Sequence, residues 1–292
     1  MKPPAFHYHD PQTVSDVVAL LSKCENAKLL AGGQSLMPML NMRYVLPDDV
    51  IDLNKVAELA FLREAGSVLE IGAMTRQREL EYSKGVAALC PLMREAILHV
   101  GHRQTRNRGT LAGSLCHLDP SAELVSVATA MGAVVHVSGP KGNREIKFSD
   151  FPADYMMPAI EFDELVTRVD FPCWSVGHGY AFVEFARRHG DFAIASVAVL
   201  LEKDQSGKFS RVALALGGVA AVPVLIREVE EILIGQTAGE ELFRAAGEAC
   251  RKIEAVEDTN APAVYRQHLA SVLTQRALAL ADSRMARVEV GA

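Results

Sequence analysis

The sequence predicts an α+β protein built in two parts, and three observations carry that reading. Its 292 residues exceed the roughly 150 that a single domain usually takes. In the last third, three β-leaning runs are followed by three helical ones, the order of a sheet backed by helices. Between the parts the pattern pauses at Trp174-Ser-Val-Gly-His-Gly179, which places a boundary near 175.

Taken along the chain, residues 13–23 set Val14, Val17, Val18, Leu20 and Leu21 at helical spacing, with Thr13 or Ser15 as N-cap. Lys28–Ala31 reads as a short buried strand that stops at Gly32-Gly33, and Ser35 with Pro38 opens a helical turn. Val50–Leu53 and Val68–Gly72 are strands, the second leading through Thr75 into a helix over 76–82. Cys90–Val100 is an amphipathic helix ending at Gly101, followed by a polar basic connector, Gly101–Gly109. After Thr110–Ser114 comes an apolar helix over 122–131 with Ser121 as N-cap, then strands 134–138 and 165–171 around a Gly139–Gly142 turn. Tyr180–Phe185, Ala193–Glu202 and Phe209–Val219 predict a three-stranded antiparallel sheet, and 226–233, 240–253 and 263–281 are helical by spacing.

Composition narrows the function. The hydrophobic set makes up 49% of residues and charged residues 23%, with 21 Gly and 13 Pro, which excludes disordered and collagen-like chains. Thirty Lys and Arg against 36 Asp and Glu leave a net charge of −6, with no general attraction to nucleic acid or an anionic bilayer. The five cysteines, Cys24, Cys90, Cys116, Cys173 and Cys250, lie no closer than 26 positions apart. That spacing spells neither a metal knuckle nor a disulfide framework, and no metal site is expected. The N-terminus has no apolar signal core, and Val212–Ile226, broken by Gly217, Gly218 and Pro223, falls short of the ~20 residues of a membrane span. A soluble cytoplasmic protein is expected.

Two small-residue turns, Ala31-Gly-Gly-Gln-Ser35 and Thr110-Leu-Ala-Gly-Ser114, combine absent bulk with a hydroxyl, so an anion can approach backbone N–H groups without meeting a Cβ. Either one alone is equally the turn after a strand. Other signatures fail: Gly177-His-Gly179-Tyr-Ala-Phe182 begins like a dinucleotide fingerprint but ends in Phe, and no P-loop, HExxH or GxSxG occurs. The basic connector with His99, His102, Arg103, Arg106 and Arg108, like Arg187-Arg-His-Gly-Asp191, reads either as a phosphate contact or as a solvated loop paired with carboxylates. His117 beside Cys116 does not make a metal site.

Three longer stretches go further: 31–43, 106–124 and Phe185-Ala-Arg-Arg-His-Gly-Asp-Phe-Ala193. In order and interval they resemble the FAD-binding medium subunits of molybdenum hydroxylases, the family of carbon monoxide dehydrogenase, quinoline oxidoreductase and the flavin segment of xanthine dehydrogenase. The resemblance spans essentially the whole chain. It implies a two-part FAD-binding domain of the vanillyl-alcohol-oxidase-like (PCMH) type over 1–175, split near 55, and a C-terminal α+β domain over 176–292.

It also implies site residues. Ala31, Gly32, Gly33, Gln34 and Ser35 on the first loop, with Thr110, Leu111, Ala112, Gly113 and Ser114 on the second, would bind the FAD pyrophosphate largely through backbone amides. Ala112 and Ser114 stand where relatives usually have Gly and often Asn; Ala keeps the approach open where φ stays negative. Glu123 falls on the acidic residue that hydrogen-bonds FAD hydroxyls, Phe192 on the aromatic near the isoalloxazine, and Val166 on an apolar FAD contact. Some relatives have a lysine at 183–184 near the FAD; here Val183 and Glu184 replace it.

The implied reaction belongs to an assembly: a large subunit with the molybdopterin cofactor, a small subunit with the iron-sulfur clusters, and this chain relaying electrons through FAD to an external acceptor, in a dimer of heterotrimers. No residue need act as acid, base or nucleophile, since the redox chemistry is the cofactor's. The alternatives are a self-sufficient vanillyl-alcohol-oxidase-type flavin oxidoreductase, for which no covalent-flavin His motif is visible, and a non-catalytic nucleotide-binding protein.

Overall fold

In the computed structural model, which describes residues 1–285, the first helix begins where its spacing requires. Thr13 Oγ1 accepts the Asp16 N–H at 3.1 Å, opening α1 (Val14–Leu21) and turning Val17 and Leu21 into the core. This helix lies between β1 (His7–His9) and β2 (Ala27–Leu30); α2 (Leu36–Met42) then leads to β3 (Asp49–Asp52). The three strands make a small parallel sheet in the order β1-β3-β2.

A second, antiparallel sheet starts with the hairpin β4 (Leu62–Ala65) and β5 (Val68–Gly72). Six helices intervene before it resumes: α3 (Gln77–Tyr82), α4 (Lys84–Leu89), α5 (Pro91–Ile97), α6 (Arg103–Arg108), α7 (Leu111–His117) and α8 (Glu123–Met131). The hairpin β6 (Val134–Gly139) and β7 (Gly142–Lys147), a small hairpin of β8 (Pro152–Asp154) and β9 (Met157–Pro158), and β10 (Leu165–Pro172) follow. The five-stranded order is β4-β5-β10-β6-β7, so the long β10 sits centrally between the two hairpins.

Several local expectations change here, each for a tertiary reason. The basic connector is not an open loop: it contains α6, because Arg106 is only 8% exposed and its Nε donates to Glu81 at 2.9 Å. Its Nη1 also donates to the Val100 carbonyl at 3.0 Å, closing the end of the segment after α5, which stops at Ile97. Thr75 does not cap α3; its hydroxyl donates to Phe61 O at 2.7 Å. Ser121 gives its N–H to Asp119 Oδ1, and Ala122 takes the N-cap position of α8 without a side-chain bond. The second small-residue turn is the first turn of α7, with Thr110 as its N-cap.

The C-terminal sheet has one strand more than the sequence predicts. β11 (Gly179–Phe185), β12 (Ala195–Lys203) and β13 (Phe209–Gly217) are joined by the two-residue β14 (Val224–Leu225), which pairs with Ala215 and Leu216. The helices α9 (Arg227–Leu233), α10 (Glu240–Arg251) and α11 (Ala263–Arg284) complete this part. β12 is an almost unbroken apolar run because both of its faces are covered. Val197, Val199 and Leu201 pack with the C-terminal helices, whereas Ala198 and Leu200 join Phe182 and Ala215 in the N-terminal core. α8 comes down on that second face, against Gly217, where a Cβ would stand 2.2 Å from Ser126 Oγ.

Arg266 pins the helical layer to the sheet. It is 3% exposed, and its Nη1 donates to the carbonyls of Ile194 and Gly218, both at 2.6 Å, while Nη2 meets Asp258 Oδ1 at 2.7 Å. Arg266→Met should lower the unfolding free energy in urea by about 2–4 kcal/mol, since it leaves two buried carbonyls unpaired. Burial pushes the Asp258 carboxyl up, but the Ala261 N–H, Arg266 and the Asn260 N–H outweigh it and hold it at about 2. A folded value below the ordinary 3.8 means that this contribution is complete above about pH 4 and is lost as pH falls towards 2. The stability difference between the protein and Asp258→Asn should therefore shrink over that acid window.

Candidate functional site

The two small-residue segments meet. Strand β2 runs out at Leu30, and the chain turns through Ala31–Ser35 into α2; the left-handed φ of +71° at Gly33 makes the turn. Gly32 lies flat against the segment before α7, where a Cβ would stand 2.3 Å from Arg108 O and 2.8 Å from Gly109 Cα. A Cβ at Gly113 would likewise begin 3.5 Å from Ala31 Cβ. Arg76 and Asn54 bracket the seam: Arg76 donates to Arg108 O and to Asn54 Oδ1, and Asn54 Nδ2 donates to Ala31 O at 3.1 Å. No sequence motif marks this pair.

The two segments differ in what they offer a ligand. Among the described residues, none of the N–H groups of Gly32, Gly33, Gln34 and Ser35 has a hydrogen-bond acceptor. Gln34 turns its own amide back onto Gly32 O at 3.1 Å, and the Ser35 hydroxyl makes no capping bond. On the second segment the amides are engaged: Leu111 N–H with Thr75 O, Ala112 N–H with Ala73 O, Gly113 N–H with Thr110 Oγ1 and Ser114 N–H with Thr110 O, at 3.0–3.2 Å. The free amides thus lie on the first segment, while those of Leu111–Ser114 are engaged within the fold. Leu111 and Ala112 are buried at 0% and 5% exposure and anchor α7, leaving half-buried Gly113 and Ser114 at the surface. Ala112 keeps a negative φ, so the missing family glycine costs no strain. A row of free amides on a turn led by two glycines, with the desolvated guanidinium of Arg76 beside it, fits an anion such as a pyrophosphate.

The remaining expected residues are spread over both parts of the chain. Glu123 begins α8 and is 5% exposed; burial, above all, pushes its carboxyl up to about 8. Val166 lies on β10 at 4% exposure, next to a register shift in its pairing with β6. Phe192 is 61% exposed, in the turn between β11 and β12. The two basic segments approach one another there: the rings of His102 and His189 stack with centroids 6.2 Å apart.

Elsewhere, His9, Cys24 and Asp49 gather donor atoms within 4.8 Å of one another, with His9 Nε2 at 2.7 Å from Asp49 Oδ1. Burial pushes the thiol of Cys116 up to about 12 and that of Cys250 to about 11, which favours their neutral forms. Gly32→Ala should push the two segments apart and destabilise the protein by about 1–3 kcal/mol in urea denaturation. Exposed Gln34→Ala should stay within about 0.5 kcal/mol of the parent.

Known proteins match both parts of the chain. Residues 4–174 match the family described as the FAD binding domain in molybdopterin dehydrogenase, and residues 180–281 match the CO dehydrogenase flavoprotein C-terminal domain. The chain is 37% identical to the caffeine dehydrogenase subunit beta of Pseudomonas sp. (strain CBB1), covering 99% of each chain. It is 35% identical to the carbon monoxide dehydrogenase medium chain of Afipia carboxidovorans, over 97% of this chain and 99% of that one. The solved carbon monoxide dehydrogenase from Hydrogenophaga pseudoflava superposes with a TM-score of 0.95 at 36% identity, covering 98% of this chain and 100% of that chain. The chain belongs to the family of FAD-binding medium subunits of molybdenum hydroxylases.

Proposed function

We propose that the pyrophosphate of FAD is held by the turn Ala31, Gly32, Gly33, Gln34 and Ser35, closed from the other side by Thr110, Leu111, Ala112, Gly113 and Ser114. The unpartnered amides of this turn carry this reading, because Gly32 is buried and Gly33 and Ser35 half-buried, and a donor so placed without an acceptor asks for a ligand. Thr110, Leu111 and Ala112 act indirectly by fixing the start of α7, so that Gly113 and the Ser114 hydroxyl face the ligand. Arg76 adds a positive charge at the seam of the two segments. Glu123 takes the cofactor hydroxyls, Val166 an apolar edge and Phe192 the neighbourhood of the isoalloxazine.

Bound FAD supplies the relay between the iron-sulfur clusters of a small partner subunit and an external acceptor, while a large subunit carries the molybdopterin cofactor and transforms the substrate. The chain's own residues bind and orient the cofactor and hold its polar groups. Residues 1–175 form the FAD-binding domain, split near 55, and the part from 176 onward covers one of its faces. The assembly is a dimer of heterotrimers in the cytoplasm. Among the described residues, no helix is long and apolar enough to cross a membrane.

Gly33→Val should abolish FAD uptake while leaving far-ultraviolet circular dichroism unchanged, because the branched side chain blocks the turn and its φ favours glycine. FAD content equal to the parent's would refute the assigned turn. Purification of the native complex should yield flavin and iron-sulfur absorption with a large and a small subunit in one particle; a colourless monomer that takes up no FAD would overturn the reading.

A further inference from the structure

Three donors of different chemistry meet where the parallel sheet begins. His9 on β1, Cys24 in the turn after α1 and Asp49 at the start of β3 bring one nitrogen, one sulfur and one carboxylate oxygen to within 4.8 Å of one another, and each residue is half-buried. Among the described residues no other three such donors gather this closely. They are far apart in sequence, so cysteine spacing does not reveal them; the pairing of β1 with β3 brings them together.

Their backbones are tied to one another independently of any ligand. The His7 N–H donates to Asp48 O at 2.8 Å, which sets β1 against the start of β3. The Asp48 N–H donates to Asn26 O at 3.1 Å, and Asn26 Nδ2 donates to Leu46 O and Asp48 Oδ2, both at 3.0 Å, so the turn carrying Cys24 is fixed to the same strand. Cys24 itself gives its N–H to Leu20 O at 2.9 Å, closing the end of α1. His9 Nε2 already meets Asp49 Oδ1 at 2.7 Å, with the two side chains 29% and 17% exposed, which leaves the pair reachable from solvent.

We propose that His9, Cys24 and Asp49 form a binding site for a thiophilic divalent cation, zinc above all, with the fourth position of its tetrahedron taken by water. The donor set selects the ion: imidazole and thiolate suit zinc, whereas magnesium and calcium ask for shells of oxygen. Metal–ligand bonds of about 2.0–2.3 Å set ligand edges of about 3.4–3.6 Å in a tetrahedron, so the His9–Asp49 contact has to open by less than about 1 Å. On binding, the Cys24 thiol yields its proton to solvent, and thiolate and carboxylate together cancel the charge of the ion. Cys24 and Asp49 stand at the end of the sheet where β2 and β3 begin, with Asp49 paired to Ala27, whereas Ala31–Ser35 follow the other end of β2. The site is therefore separate from the flavin turn, and it staples the three-residue edge strand β1 to the sheet.

Cobalt(II) reports such a site directly. Titration of the reduced, chelator-stripped full chain with cobalt(II) chloride should give a thiolate-to-cobalt charge-transfer band and the visible absorption of a tetrahedral ion, saturating at one ion per chain and bleached by zinc. Cys24→Ser should abolish the charge-transfer band, while Cys173→Ser, at a half-buried thiol elsewhere, should keep it. His9→Gln and Asp49→Asn should each weaken cobalt binding by on the order of tenfold or more, with far-ultraviolet circular dichroism unchanged. Zinc at about a hundred times its Kd should raise the Tm of the parent by several degrees and leave that of Cys24→Ser where it was. Absence of the band in the parent, its survival in Cys24→Ser, cobalt affinity unchanged in His9→Gln or Asp49→Asn, or a parent Tm indifferent to zinc would overturn the proposal.

Discussion

The binding face exists because two backbones touch. With no side chain at residue 32, the turn after β2 lies directly on the carbonyl of Arg108, and the distance between them is too short for any other amino acid. That contact fixes the spacing of everything nearby. It sets the turn's amides beside the start of α7, and it gives Arg76 and Asn54 a carbonyl on each side to hold. Keeping the amides free is as important as bringing the segments together. The α7 segment satisfies its own donors through Thr110 and the carbonyls of Ala73 and Thr75, so the positive edge that remains belongs to one turn. The site is asymmetric: one segment supplies donors, and the other supplies a rigid, low-bulk wall.

What the sequence made legible follows the range of the forces involved. α1, β5, β6, β10 and the strands β11 to β13 are set by apolar periodicity and by caps within a few residues, and they appear where that pattern puts them. The failures concentrate where distant residues decide. α6 reads as a charged loop because its anchor, Glu81, is 25 residues away, and β14 is two residues long and exists only as an edge on β13. The glycine turn is recognisable by composition, but which amides remain free depends on carbonyls contributed by Ala73, Thr75 and Thr110. Arg76 and Asn54 carry no local sign of their role, since their positions make sense only when residues 31, 54, 76 and 108 come together.

Two partly buried ion pairs span the contact between the two parts of the chain. His99, two residues beyond α5, meets Glu184 of β11, and Glu95 of α5 meets Arg284 of α11. Desolvating ions in this way is a poor source of stability, because the attraction gained is largely offset by lost hydration. Its effect is directional: an apolar seam tolerates sliding, whereas paired charges accept one register. The elements around Glu123 are thereby kept in one fixed relation to the C-terminal sheet.

The doubly covered strand β12 has a consequence for how such a chain is made. Because Ala198, Leu200 and Ala215 complete the core of the first part, a nascent chain that has emerged only as far as the boundary near 175 has an unfinished interior. Its apolar floor arrives some twenty to forty residues later, and until then the face over α5 and α8 is open. Folding is therefore deferred rather than modular: the first part acquires its final packing only when the second has laid its sheet.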